Sequence, residues 1–230
     1  MIVVDGKSVF SDLSELVDPS HTALLVIDMQ CDFVEENGVF ADMGINLSMY
    51  GEAKPKMKNL LHIARQEGVL VIHLKNTALP DRMSDSPAQI RFNLKMHNGF
   101  RGSAPSLQYT VPGTPGFDFA PGFEPLAGEL VVQKFRSSGF WGTNLDMILR
   151  SNGIKTVVVT GCTTEGCVES TARDAMFSDY FVVIAEDCVA SDDREQHEAS
   201  LLLMKHRFDL ANGSAIEKIW EQSQSHSEGE

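Results

Sequence analysis

An α/β fold with a parallel sheet covered by helices on both faces is predicted by three features of the sequence. Apolar, β-branched runs such as TALLVI (22–27), VLVIHL (69–74) and TVVVT (156–160) alternate with stretches whose apolar residues recur at helical spacing. The runs are continuous, not alternating, as in strands buried on both faces. Glycines such as Gly68 and Gly153 stand where helical patterns stop and strands are about to begin.

Taken in order, 22–27 is the first strand, and 54–66 is a helix with Pro55 suited to its first turn and Gly68 to its end. The strand 69–74 follows. Residues 75–128 carry many prolines and glycines (PGTPGFDFAPGFEPLAG) and read as a long loop insertion over one end of the sheet, with one helix near 86–96. A strand at 130–133 precedes a helix at 143–151, opened by Thr143 with Asp146 as its capping-box partner. After 156–160 comes a helix marked by Val168, Ala172, Ala175 and Met176. The remaining elements are a strand at 181–185, a helix at 195–205, a short strand near Phe208 and a last helix at 214–221. We read 1–230 as a single domain with a polar tail at about 222–230.

The net charge of −13 argues against nucleic-acid or anionic-membrane partners, which call for a basic surface. The start, MIVVDGKSVFSDLSELVDP, lacks the basic and apolar regions of a signal peptide, and no apolar run approaches the ~20 residues of a membrane span. A cytoplasmic protein is expected. Four cysteines without CxxC pairs fit a reducing compartment and offer neither a disulfide framework nor a zinc site.

In open parallel sheets the binding crevice lies at the carboxyl ends of the strands. Three chemically matched residues stand there: Asp28 ends LLVID, Lys134 ends LVVQK, and Cys167 follows VVVTG by one turn. Singly, each has a bland reading: a turn carboxylate, a solvated strand end, a small buried hydrophobe. Cys167 is distinguished from Cys31, Cys162 and Cys188 by its place at a helix start, where unpaired N–H groups are expected to favour the thiolate and bring its pKa well below about 8.5.

LLVIDMQCDF, VVQK and GCTTEGCVESTARDA, in this order, resemble the isochorismatase-like cysteine hydrolases, over about 200 residues from Thr22 to the last helix. That superfamily holds isochorismatases, nicotinamidases, N-carbamoylsarcosine amidases, ureidoacrylate amidohydrolases and biuret hydrolases. The resemblance implies a Rossmann-like three-layer α/β/α fold with a mostly parallel six-stranded sheet, and a catalytic triad of Asp28, Lys134 and Cys167. It also implies a non-proline cis peptide before Thr163, aiming the N–H groups of Thr163 and Cys167 at one point as an oxyanion hole, and a homodimer or homotetramer. Without it, Thr163 and Thr164 read as turn residues.

Nicotinamidases of the superfamily carry an Asp-x-His and a further His after the second strand. Here the segment reads VIHLKNTALPDRMSD, so no metal or other cofactor is expected, and His73 is read as a core histidine. FRSSGFWGTNLDMILRSNGIKTVVVTG is similar to ureidoacrylate amidohydrolases, and GCTTEGCV and REQHEASL to N-carbamoylsarcosine amidase. The implied activity is metal-free hydrolysis of a C–N bond in a small carbamoyl, ureido or amide compound, through an acyl-enzyme on Cys167. Candidate substrate contacts are Arg136 for a carboxylate, Phe33, Phe140 and Trp141 as apolar walls, Gln30 and Asn76 for an amide or urea group, and His197. Arg136 reads equally as a surface ion-pair partner, and the aromatics as core or subunit contacts. Vinyl ether hydrolysis, a non-catalytic interaction protein, and a metal or redox role for Cys162 with Cys167 stand as alternatives.

Overall fold

The computed structural model describes residues 1–96 and 108–227. The chain opens with a small antiparallel hairpin, β1 (Ile2–Val4) and β2 (Lys7–Val9), joined by Asp5 and Gly6, both at positive φ as a two-residue Asp-Gly turn requires. A short helix α1 (Leu13–Leu16) follows, with the Asp12 carboxylate accepting the Glu15 N–H at 3.0 Å. Then come β3 (Thr22–Ile27), two single-turn helices α2 (Cys31–Val34) and α3 (Val39–Asp42), the long α4 (Ser48–Gln66), β4 (Leu70–Asn76) and α5 (Pro87–Met96). The second half runs β5 (Leu130–Lys134), α6 (Leu145–Ser151), β6 (Thr156–Cys162), α7 (Glu169–Phe177), β7 (Phe181–Ala190), α8 (Arg194–Lys205), β8 (Asp209–Ala211) and α9 (Gly213–Ser227).

Six strands form one sheet in the order β5-β4-β3-β6-β7-β8, every pair parallel. Because side chains alternate along a strand, β3 feeds two cores: Leu24 and Val26 point to one face, Ala23, Leu25 and Ile27 to the other. The first face is covered by α4, through Tyr50, Ala53, Met57, Leu60, Leu61 and Ala64 at helical spacing, and by Ile216 and Trp220 of α9. The second is covered by Leu145 and Leu149 of α6, Ala172 and Ala175 of α7, and Met204 of α8. This is the three-layer α/β/α arrangement expected from the sequence. The strand order turns back between β3 and β6, so the chain ends leaving these two strands face a switch-point crevice.

Several elements differ from the sequence reading. The helix expected at 54–66 starts six residues earlier, at Ser48, so Pro55 lies inside it; the carbonyl deprived of its donor is that of exposed Gly51. The capping box at 143–151 does not form: Thr143 Oγ1 accepts the Leu145 N–H at 3.1 Å, while Asp146 pairs with Arg150 and accepts from the Tyr180 hydroxyl at 3.0 Å. The strand expected at 181–185 continues to Ala190 past an irregularity opposite Val159 and Gly161. Cys162, expected in the turn, ends β6, and α9 continues through Ser227 into the polar segment. The 75–128 insertion contains α5 and returns to the sheet where Cys31 N–H donates to Asp118 O and Ala120 N–H to Met29 O, both at 2.9 Å; its residues 97–107 lie outside the described ones.

Candidate active site

The register of the sheet brings the three predicted residues to one level. Ile27 pairs with Gly161, and Asn76 with Lys134, so the ends of β3 and β6 lie side by side and the end of β5 lies beyond β4. Lys134 stands two strands from Asp28, about 10 Å at the usual strand spacing, a gap that a long lysine side chain can cross. Its ammonium lies 2.7 Å from Asp28 Oδ2 and 3.2 Å from Cys167 Sγ, and it donates to the Arg136 carbonyl at 3.3 Å. Asp28 and Lys134 are 1% and 0% exposed, so this charge pair is desolvated and held by its geometry. Asp28 itself adopts a left-handed conformation, φ 53°, which aspartate tolerates better than most residues.

Enclosure sets the protonation states. Burial raises the Asp28 carboxyl above its ordinary range despite Lys134, the Cys167 thiol and the Asn76 N–H, all of which favour its charged form. Burial pulls Lys134 down, but Asp28 and Cys167 more than offset this and keep it protonated. The Cys167 thiol is pushed up to about 12 by burial, with Lys134 opposing and Asp28 adding to the rise. The acidic thiol expected from the helix start is therefore not found. The residue sits in a single π turn (Thr164–Val168) ahead of α7, and desolvation outweighs the favourable charges around it. Lys134 balances one negative charge. Loss of the thiol proton to solvent adds a second, whereas its transfer to Asp28 keeps the total unchanged.

The turn between β6 and the π turn has two unusual features. Gly161 has φ 113°, and a Cβ there would come within 2.1 Å of the Ile27 carbonyl oxygen, so only glycine fits against β3. The Cys162–Thr163 peptide is cis, as the family resemblance implied. Thr163, Gly166 and Cys167 line the same cleft as Asp28.

Of the expected substrate contacts, Phe33, Asn76 and Arg136 line this cleft. Arg136 donates to the carbonyls of Phe135 and Ser84, and none of the carboxylates in the described residues forms an ion pair with it. Gln30 is fully buried and donates to the Asn76 and Phe117 carbonyls at 3.1 and 3.0 Å, bracing the insertion. Phe140 packs on the second core against Tyr180, and Trp141 is 65% exposed beside the Arg136 guanidinium. His197 on α8 shares a 2.8 Å hydrogen bond with Thr164 Oγ1, behind the π turn. His73 is a core histidine bonded to Glu129 at 2.9 Å, with its pKa lowered by burial.

The sequence reading missed Phe40 and Tyr109. Together with Phe33 they form an edge-packed aromatic wall of the cleft, ring centroids 4.9 to 5.5 Å apart. Phe40 comes from the single-turn α3 and Tyr109 from an irregular segment, both too short for a periodic pattern. The one local signal was their aromaticity.

The fold and site are those of an α/β enzyme that carries a thiol at the switch point of its sheet. Residues 22–212 match the isochorismatase domain, and the chain belongs to that family of hydrolases. It is 35% identical over 173 residues to a ureidoacrylate amidohydrolase of Enterobacter sp. (strain 638), covering 74% of this chain and 75% of the relative. Among solved structures, N-carbamoylsarcosine amidase of Thermoplasma acidophilum aligns with a TM-score of 0.64 and 26% identity, over 84% of this chain and 96% of that one. A cysteine hydrolase of Pseudomonas syringae pv. phaseolicola shares the fold with a TM-score of 0.74 at 24% identity, over 90% and 95% of the two chains.

Proposed function

We propose that the protein is a cysteine amidohydrolase acting on a small carbamoyl, ureido or amide compound through an acyl-enzyme on Cys167. The observation that carries this reading is the triad, with one ammonium 2.7 Å from a buried acid and 3.2 Å from a half-buried thiol. The names of the amidohydrolase and amidase relatives support the amide class.

In the proposed reaction Asp28 takes the Cys167 proton as Sγ attacks the carbonyl carbon, a transfer that leaves the charge of the triad unchanged. Reference pKa values of Asp and Cys differ by about 4.6 units, roughly 6 kcal/mol. Burial raises Asp28, which narrows that gap, and raises Cys167, which widens it; what favours the internal transfer is that Lys134 steadies the charge on either partner while the total stays unchanged. The carbonyl oxygen becomes an oxyanion received by the N–H groups of Thr163 and Cys167. As the C–N bond breaks, Asp28 returns its proton to the leaving nitrogen, and a thioester remains. Asp28 then deprotonates a water, which attacks the thioester; the C–S bond breaks, the acid leaves and Sγ regains a proton.

The test is ammonia release by wild-type and Cys167→Ala protein over ureidoacrylate, biuret, N-carbamoyl amino acids, maleamate and nicotinamide. Release from one compound that disappears in the variant is expected. A folded wild-type protein inert toward the whole panel would overturn the reading.

A further inference from the structure

Thr110 is fully buried in the returning arm of the insertion and has φ 55°, a conformation that β-branched residues rarely adopt. Glycine would sit there with less strain, so what the threonine brings is its hydroxyl. The backbone is pinned from both sides. Asp32 Oδ2 accepts the Thr110 N–H at 2.6 Å, and the Thr110 carbonyl accepts the Ala78 N–H at 3.0 Å. Asp32 is itself 5% exposed; its Oδ1 also takes the Val39 N–H at 3.2 Å, and a Cβ on Gly116 would fall 1.8 Å from it. The carboxylate is thus a fixed post on which the arm is hung.

The polarity of the next link follows. A hydroxyl has one proton to donate, and that of Thr110 goes to the Tyr109 carbonyl at 2.7 Å. Its oxygen can then only accept, and it accepts from Asn76 Nδ2 at 2.8 Å. The orientation of the Asn76 amide is therefore dictated: nitrogen toward Thr110, with the carbonyl Oδ1 left as the end that Thr110 does not hold. Asn76 lines the cleft with Asp28 and Cys167, and its backbone N–H favours the charged form of the Asp28 carboxylate.

We propose that Asn76 Oδ1 is the acceptor that recognises the –NH2 of the scissile carbamoyl or primary amide group, and that Thr110 and Asp32 are positioning residues that fix its polarity. This rests on the amidohydrolase reading and narrows it: the site selects a substrate whose scissile carbonyl bears N–H, against an ester of the same acid. A site built around an acceptor held in one orientation discriminates because the donor-free analogue leaves that acceptor unpaired.

The experiment compares kcat/KM for a primary amide and for the methyl ester of the same acyl group, starting with maleamate and monomethyl maleate and extending to the panel amide turned over fastest. The proteins are wild type, Thr110→Val and Thr110→Ser. Valine keeps the shape and removes the hydroxyl, freeing Asn76 to rotate, whereas serine keeps it. We expect Thr110→Val to lower the amide value about tenfold more than the ester value, and Thr110→Ser to restore the wild-type ratio. Equal losses on amide and ester, or the same ratio in the valine and serine variants, would overturn this proposal while leaving the amidohydrolase reading intact. A wild-type protein with no Cys167-dependent turnover of any amide would instead remove the reading on which it rests.

Discussion

Two enclosed carboxylates near the same strands have opposite fates. Glu129, just before β5, accepts two bonds from Arg65 at 2.7 and 2.9 Å, one from His73 at 2.9 Å and one from the Leu126 N–H at 2.8 Å. Burial alone would raise its pKa, but these donors hold it down to about 2. Asp28, after β3, has the Lys134 ammonium and the Asn76 N–H, and beside it a thiol that still carries its proton; there burial wins and the pKa rises. A carboxylate whose acceptor sites are filled by donors fixes structure and does not exchange protons. One that is desolvated, singly balanced and next to a thiol is built to receive one.

The comparison can be broken most sharply at the triad. Cys167→Ala or Asp28→Asn should lower turnover by on the order of 10⁴, measured as product release per active site, with unchanged far-ultraviolet circular dichroism. Lys134→Met should lose activity and also about 3–5 kcal/mol of stability in urea titrations, because Asp28 is left buried without its counter-charge.

Glu129→Gln should act the other way round, costing roughly 1–3 kcal/mol in the same titrations while turnover stays within about twofold. Its pH signature has a definite sign. The folded pKa of about 2 lies below the ordinary 4.5, so the unfolded state binds more protons between these values. The stability Glu129 contributes is complete above about 4.5 and is lost as pH falls through about 2. Acid unfolding of Glu129→Gln should therefore lack that part of the slope.

Smaller effects sharpen the outline of the cleft. Arg136→Ala should raise KM about tenfold for a substrate bearing a carboxylate and leave kcat nearly unchanged. Trp141→Ala and His197→Ala, outside the cleft lining, should change kcat/KM by less than about threefold. A larger loss in either would mean that the cleft extends past Arg136 or behind the π turn.

What was legible in the sequence is what the backbone period and strand ends control. The β3 strand was read to its exact bounds, and Asp28, Lys134 and Cys167 were placed together by the rule for strand carboxyl ends. What was not legible depends on contacts across the chain. Nothing local to Asp32 says that it will hold Thr110, 78 residues away, or that Pro55 will be tolerated inside a helix because Gly51 faces solvent. The direction of the Cys167 pKa was misread for the same reason. A helix start is visible in sequence, but the desolvation that overrides it is a property of the packed cleft. The Asp-Gly hairpin at the start was a local signal that went unread.

The central claim is that the Cys167 proton passes to Asp28 and stays within the triad. It is tested most directly by the rate at which iodoacetamide alkylates Cys167, followed by peptide mass, in wild-type and Asp28→Asn protein from about pH 6 to 9. With internal transfer, the wild-type rate is flat across this range, while the Asp28→Asn rate climbs with pH as the thiol loses its proton to solvent, now without a neighbouring negative charge to oppose it. Parallel rises of about tenfold per pH unit in both proteins would contradict the account.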